Sequence, residues 1–280
     1  MKFDEMKYIR PDFDKLMDEF NHLLDRLEGA ENEEDFFKSF DEIEAKSSEL
    51  STMYTLVYIR YTIDTNDGFY AGEREKLDEF MPRFQAISTR LSEIRLNTKF
   101  KDALVEKFGN YMLEQDKLSI QLFDPSIVDL RVRENQLSME YQKLMSSCKI
   151  DFKGEERNLS QMSFYTQSKN RGERKEAHEK IHEWFLEHEG ELDRIYDDLV
   201  KVRHEIAKKL GFKNFIPLAY GQMNRTDWTQ EDAKAYRKQI LESVVPLTQK
   251  LYEEQRQRIG LEELRFYDLG LMFLSGNPMP

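Results

Sequence analysis

The chain has 280 residues, of which 34% are charged, and its formal net charge is -12. A balance this acidic disfavours nucleic acids and anionic membrane surfaces as partners, because both repel a negatively charged protein. The chain begins MKFDEMKYIRPDF without an apolar leader, and no apolar run approaches the roughly 18 residues of a membrane span, so we expect a cytoplasmic protein that contacts no membrane.

The first half of the chain is predicted to be helical. Apolar residues recur at steps of three and four between the few glycines and prolines, which is typical of amphipathic helices. The first helix carries one apolar stripe and stops at Gly29; the stripe is Phe13, Leu16, Phe20, Leu23, Leu24 and Leu27. Further helices are predicted over about 33–64, 69–97 with a kink at Pro82, 100–122, and 126–147. Together they predict an all-α fold of long antiparallel helices packed as hairpins.

One segment interrupts the helical pattern. The string KIDFKGEERNL alternates apolar and polar residues around Gly154, and it predicts a short β-hairpin near 149–160. We therefore expect a helical domain over 1–148 and a second domain over 149–280. The second domain is predicted to contain a helix from Arg171 to Leu210, and another that begins after the N-cap Thr229, bends at Pro246 and reaches about 259.

The chain contains an H-E-x-x-H sequence formed by His178, Glu179 and His182. On a helix this spacing places two imidazoles one turn apart with a carboxylate beside them, which is how zinc peptidases hold their metal and general base. A catalytic zinc also needs a third protein ligand. Glu205 is a candidate, but it is predicted on the same helix, roughly 35 Å from His182 at about 1.5 Å of rise per residue.

The competing interpretation makes these histidines ordinary residues at the edge of an amphipathic helix. The apolar positions Ala177, Ile181, Trp184 and Phe185 define the buried direction, and both histidines lie beside it. A cationic turn that opposes a dication precedes them; its members are Arg171, Arg174 and Lys175. We favour this interpretation, and we assign no catalytic, cofactor-binding or metal-binding residue within the chain.

The remaining histidines and the single cysteine are assigned no chemistry. His22 and His204 each stand alone on a helix and are expected to be partly buried, hydrogen-bonded imidazoles. Cys148 is expected to be a small buried hydrophobe, and its solitude fits a reducing compartment. The chain has no glycine-rich phosphate loop and no G-x-S-x-G, so nucleotide binding and serine hydrolase chemistry have no support.

Three strings in the second half carry a family resemblance. They are RNLSQMSFYTQSKNRGERKEA, YDDLVKVRHEIAKKLGFKNFIPLAYGQMNRTDWTQEDAKAYRKQILESVVPL and LRFYDLGLMFLSGNPMP. Together they resemble the oligoendopeptidase F branch of the thimet-oligopeptidase-like zinc metallopeptidases. The shared pattern comprises an NLSQ strand, the L-V-x-x-R-x-x-x-A-x-x-x-G-F helix end, the M-x-R-x-D-[WY] turn and VVPL, and it extends from about Asn158 onward.

This resemblance implies a zinc-dependent hydrolase of short peptides, in which a zinc-bound water attacks and a glutamate acts as general base. It also implies that the chain is the N-terminal half only, because the zinc-binding H-E-x-x-H of the family lies downstream of the quoted strings. The Zn²⁺ ligands are then expected outside this segment. HEKIH would fall on an ordinary scaffold helix, and the ending at GNPMP leads us to expect a longer natural polypeptide.

The resemblance further implies that the chain forms one wall of a deep channel that admits oligopeptides. Its expected partners are an oligopeptide substrate and the C-terminal catalytic half of the same protein, and the 280 residues alone are expected to be inactive. Two other hypotheses stay open at this point. One is a non-enzymatic helical interaction module, and the other is a working metal site at His178, Glu179 and His182.

Overall fold

The structure is a computed structural model that describes residues 3–277, and most of that range is α-helical. Its helices in chain order are α1 Phe13–Glu28, α2 Glu33–Ile63, α3 Gly68–Asn97, α4 Lys101–Phe108, α5 Tyr111–Gln121, α6 Val128–Ser146, α7 Leu159–Tyr165, α8 Arg171–Glu187, α9 Glu189–Lys209, α10 Phe215–Gln222, α11 Gln230–Gln239 and α12 Val245–Arg258. Two short strands, β1 Ile150–Phe152 and β2 Glu155–Arg157, pair antiparallel. The predicted all-α class with one short hairpin is confirmed.

The first compact unit comprises the residues up to Met139 together with Asp198–Asp227. Its first two helices begin at side-chain caps: Asp12 accepts from the Lys15 backbone N–H, and Asn32 accepts from that of Asp35. Apolar residues of α1, α2, α3 and α4 then meet in a shared core, whose buried members are Phe20, Leu23, Leu24, Leu27, Phe36, Phe40, Ile43, Leu50, Phe80, Phe84, Ile87, Leu91, Ile94 and Leu104. This core packs the helices from α1 to α4 against one another.

A second core in the same unit joins α9 and α10 to α6 and the residue before it. Its buried residues are Ile127, Leu137, Val202, Ile206, Ala207 and Leu218. The approach of α10 to α5 is close at Gly221, where a Cβ would lie 2.9 Å from Leu122 Cδ2. Glycine at this position therefore allows the two helices to pack closely.

The second compact unit comprises Glu140–Asp197 and the residues from Trp228 onward. In its hairpin Ile150 and Phe152 are buried and Asp151 is exposed, as period-two alternation requires. Lys153 and Gly154 have φ of 59° and 78°, which is the combination of a tight two-residue hairpin turn. The division of the chain at 148/149 into two domains stays a prediction.

Two long predicted helices are each divided in the structure. The predicted helix over 100–122 is interrupted at Gly109, whose φ of 81° ends α4 before α5 begins. The helix predicted from Arg171 to Leu210 breaks at His188, which caps α8 through its backbone N–H before α9 starts at Glu189. The prediction of a single helix was wrong in both places.

The NLSQ string was predicted as a strand, and this prediction was wrong. Asn158 is the N-cap of α7, and its side chain and that of Gln161 each accept from the other's backbone N–H. This reciprocal capping box satisfies two backbone donors that the first turn leaves free, so it favours a helix. Helix α10 was not predicted. His22 and His204 were expected to be partly buried, and this prediction was wrong, because both are exposed.

The predicted helix from Thr229 to about 259 has a local irregularity. Between α11 and α12 the residues Ile240–Val244 form a π-helical turn, in which the Val245 N–H donates to the Ile240 carbonyl five positions back. Pro246 follows directly and has no N–H to donate to the preceding turn. Among residues 3–277, no helix is both long enough and apolar enough to cross a bilayer.

Candidate functional site

The H-E-x-x-H motif lies on α8, where His178 is half-buried and Glu179 and His182 are exposed. The Nδ1 atom of His182 lies 2.8 Å from the carbonyl oxygen of His178, one turn back. A ring nitrogen at this distance from a carbonyl must carry the proton, so Nδ1 donates and only Nε2 can bind another group. The carboxylate of Glu179 lies 3.4 Å from the ammonium of Lys175 on the same helix.

Both imidazoles of the motif pack against Phe266. The ring centroids of His178 and His182 lie 5.4 and 5.6 Å from that of Phe266. Burial lowers the pKa of His178, and the nearby His182 and Arg174 lower it further. Burial and nearby positive charge thus both disfavour the protonated form of His178.

These donors do not fit a catalytic zinc site. Such a site uses three protein ligands that converge on one point with a fourth position left open. Among the described residues there is no group of three or more histidine, cysteine, aspartate or glutamate side chains that could hold a metal ion. The motif supplies two imidazoles, and both rings pack against Phe266 and not against a third ligand residue in the described part of the chain.

A buried ion cluster lies one turn before the motif. Arg174 Nη2 lies 2.6 Å from Asp268 Oδ1, and Arg171 Nη2 lies 2.8 Å from Asp268 Oδ2. Arg174 and Asp268 are almost completely buried, and the backbone N–H of Arg265 also donates to the Asp268 carboxylate. Burial opposes ionisation of Asp268, but the hydrogen bonds from both arginines and the backbone outweigh it and keep its pKa below the usual value.

The function of this cluster was missed in the sequence. Arg171 and Arg174 were assigned only to a cationic turn that opposes a metal ion, and Asp268, within LRFYDLG, was assigned no role. A signal was available, because Arg174 precedes Ala177 by three residues and lies on the same buried helix face. A cation on such a face requires a buried anion as partner.

The first unit holds a cavity of about 670 Å³ that the sequence did not indicate. Glu134 lies on its wall and bridges two arginines, at 2.8 Å from Arg131 Nη1 and 2.7 Å from Arg203 Nε. Asp78 also lines the cavity, and burial raises its pKa although Arg74 donates to it at 2.7 Å. Amide and hydroxyl side chains complete the lining: Gln85, Gln115, Ser119, Asn135, Ser138 and Gln222. Groups of this kind can donate to or accept from peptide bonds.

Comparison with known families gives two matches along the chain. Residues 3–123 match the Peptidase M3 N-terminal domain, and residues 164–271 match Peptidase family M3. No curated protein matches the chain.

Solved structures match over the whole chain. A putative oligoendopeptidase F solved at 3.1 Å is 38% identical with a TM-score of 0.98, and the match covers 100% of this chain and 50% of the other. A putative oligoendopeptidase F from Bacillus anthracis str. Ames is 39% identical, with a TM-score of 0.96 and coverage of 100% and 52%. PZ peptidase A with an inhibitor is 41% identical, with a TM-score of 0.97 and coverage of 100% and 50%. The chain thus spans about half the length of these relatives.

Proposed function

Because the chain belongs to peptidase family M3, we propose that it is the N-terminal part of a zinc metallo-oligopeptidase that hydrolyses short peptides, and that it forms one wall of the substrate channel. The observation that carries this proposal is the match to oligoendopeptidase F structures over the whole chain at 38–39% identity. We further propose a cytoplasmic location, in keeping with the single buried cysteine.

In this proposal the chain provides a scaffold and a peptide-binding surface. The zinc ligands lie in the C-terminal half, since the donors on α8 do not fit the metal. The contribution of this chain is rigidity, which comes from the core of α1–α3 and from the buried Arg174–Asp268 pair. The polar cavity beside Glu134 is the candidate surface for the peptide backbone, because its amides and hydroxyls can pair with N–H and C=O groups alike.

The test compares the 280-residue chain with a longer polypeptide. The chain is produced alone, and also fused at its end to the second half of the Bacillus anthracis relative. Cleavage of a fluorescence-quenched oligopeptide is measured for both, with the added half alone as a control. We expect cleavage by the fusion, abolished by a chelator, and none by the 280-residue chain.

Two results would count against the proposal. One is cleavage by the 280-residue chain alone at a rate comparable with that of the fusion. The other is a correctly folded fusion that binds zinc but cleaves no peptide, which would favour a non-enzymatic helical module.

A further inference from the structure

The helical segment from α11 to α12 is almost entirely exposed. From Gln230 to Arg258, through the π-helical turn, the buried residues are Ala233 and Gln255. Large apolar side chains nevertheless occur along it and are between 42% and 66% exposed: Tyr236, Leu241, Val244, Leu247, Leu251 and Tyr252. Helices of soluble proteins turn such a stripe towards a core, so this stripe lacks the partner that its composition requires.

Some of these apolar residues belong to a ridge along one face of the helix. Other residues of the second unit cover one end of this ridge. Val244, Leu247, Leu251, Gln255 and Ile259 follow one another at steps of three and four, which places them on one face of a helix. Gln255 and Ile259 are buried, and Gln255 Nε2 donates to the Leu271 carbonyl at 2.8 Å. The ridge is therefore exposed from Val244 to Leu251 and buried at Gln255 and Ile259.

We propose that this bare ridge, formed by Val244, Leu247 and Leu251, is the docking face for the complementary half by which the solved relatives exceed this chain. Those relatives match the chain completely and are about twice its length, so each has a second half attached to this same fold. Val244 and Leu247 belong to the VVPL string that carried the family resemblance. This inference rests on the proposed function for the identity of the occupant.

The chemistry of the ridge defines what it receives. Valine and leucine offer an aliphatic surface without hydrogen-bonding groups, so the complementary half presents apolar side chains to it. Charged residues border the ridge, and Lys238 and Glu242 pair along the helix, as at the polar rim of an interface. Burial of such a ridge also explains how a helix with few tertiary contacts of its own is held in the complete protein.

The experiment uses two variants with the same added charge. Leu247→Asp changes the ridge, and Gln249→Asp changes a neighbouring exposed position off the ridge. Each is placed in the 280-residue chain and in the fusion to the second half of the Bacillus anthracis relative. Thermal unfolding and amide hydrogen exchange of residues 240–258 are measured in every form.

In the 280-residue chain we expect both variants to leave Tm unchanged, because both positions are exposed there. In the fusion we expect Leu247→Asp to lower Tm by about 5 °C or more, because a charge is then buried, while Gln249→Asp has no such effect. Exchange at 240–258 should slow at least about tenfold on fusion.

Three outcomes would overturn the inference. Equal effects of the two variants in the fusion, or unchanged exchange at 240–258, would mean that the ridge stays bare. Light scattering that shows a dimer of the 280-residue chain, dissociated by Leu247→Asp, would make a second copy the occupant. Peptide cleavage is recorded separately: an active fusion with a bare ridge refutes only the docking face, and an inactive fusion with a covered ridge refutes only the proposed function.

Discussion

Arg174 and Asp268, 94 residues apart in the sequence, form an ion pair that is almost completely buried, with Nη2 2.6 Å from Oδ1. Arg174 Nη1 also donates to the carbonyl of Ser168 at 2.8 Å. The pair therefore fixes the start of α8 to the segment that carries Phe266, the residue against which both motif histidines pack. The ion pair and the Phe266 contacts thus connect the two ends of the second unit beside the H-E-x-x-H sequence.

Asp268→Asn tests that structural role. The change leaves the Arg174 guanidinium buried without a compensating charge, so we expect the free energy of unfolding to fall by about 3–5 kcal/mol in urea denaturation. Glu263→Gln, which removes an exposed partner of Arg265, is the control and should cost about 0–1 kcal/mol. A loss for Asp268→Asn no larger than the control would refute the structural role.

Glu73 is expected to make stability depend on pH. The hydrogen bond from Arg10 lowers its pKa to about 2, and Lys76 and Tyr8 contribute against the opposing effect of burial. A carboxylate with a lowered pKa stabilises the fold fully above its unfolded pKa of about 4.5, and this contribution is lost as pH falls towards the folded value of about 2.

Glu73→Gln should therefore destabilise the chain by about 1–3 kcal/mol near neutral pH, because it weakens the buried hydrogen bonds. The difference from the wild type should shrink as the pH is lowered from about 4.5 to about 3. Glu79→Gln is the control, because it makes the same change of carboxylate to amide at an exposed position of α3. A difference that stays constant across this pH range would show that ionisation of Glu73 contributes nothing.

The capping box at the start of α7 gives a local prediction. Asn158→Ala removes the acceptor of the Gln161 N–H, so we expect a loss of about 1 kcal/mol in the free energy of unfolding. Ser160→Ala, two residues on, keeps the cap and should change stability by less than about 0.5 kcal/mol. Equal effects of the two substitutions would mean that the cap does not stabilise the helix.

Periodicity predicted α1, α2 and α3 well because each has one face in a common core. The stripe from Phe13 to Leu27 supplies Phe20 and Leu24, which are fully buried. The hairpin was likewise evident, because Ile150 and Phe152 alternate with polar residues before a glycine turn. In both cases the local pattern and the tertiary environment favour the same structure.

Breaks inside charged helices were harder to predict. The residues on both sides of His188 have a composition typical of helices. The interruption is a single residue, His188, which is the C-cap of α8. The start at Asn158 was missed because the family string was interpreted as a strand, although Asn and Gln three apart form a capping-box signature. Helix boundaries marked by only one or two residues are harder to predict from a sequence than the apolar periodicity of the helix itself.

The family could be identified from sequence, and the resemblance to oligoendopeptidase F is confirmed by the family matches and the solved structures. The environment of the motif could not be identified from the sequence. It depends on Phe266 and Asp268, which are distant in sequence from His178. Spacing alone gives the geometry of two imidazoles on a helix. It does not reveal what faces them.

The most direct measurement of the central claim is the zinc content of the 280-residue chain. The chain and its His178→Ala variant are equilibrated with Zn²⁺, dialysed and analysed by elemental mass spectrometry, with circular dichroism to establish that both are folded. We predict far less than one zinc per chain in both, because the donors on α8 are two imidazoles packed against Phe266. One tightly bound zinc per wild-type chain, lost in His178→Ala, would contradict the account and make this motif the metal site.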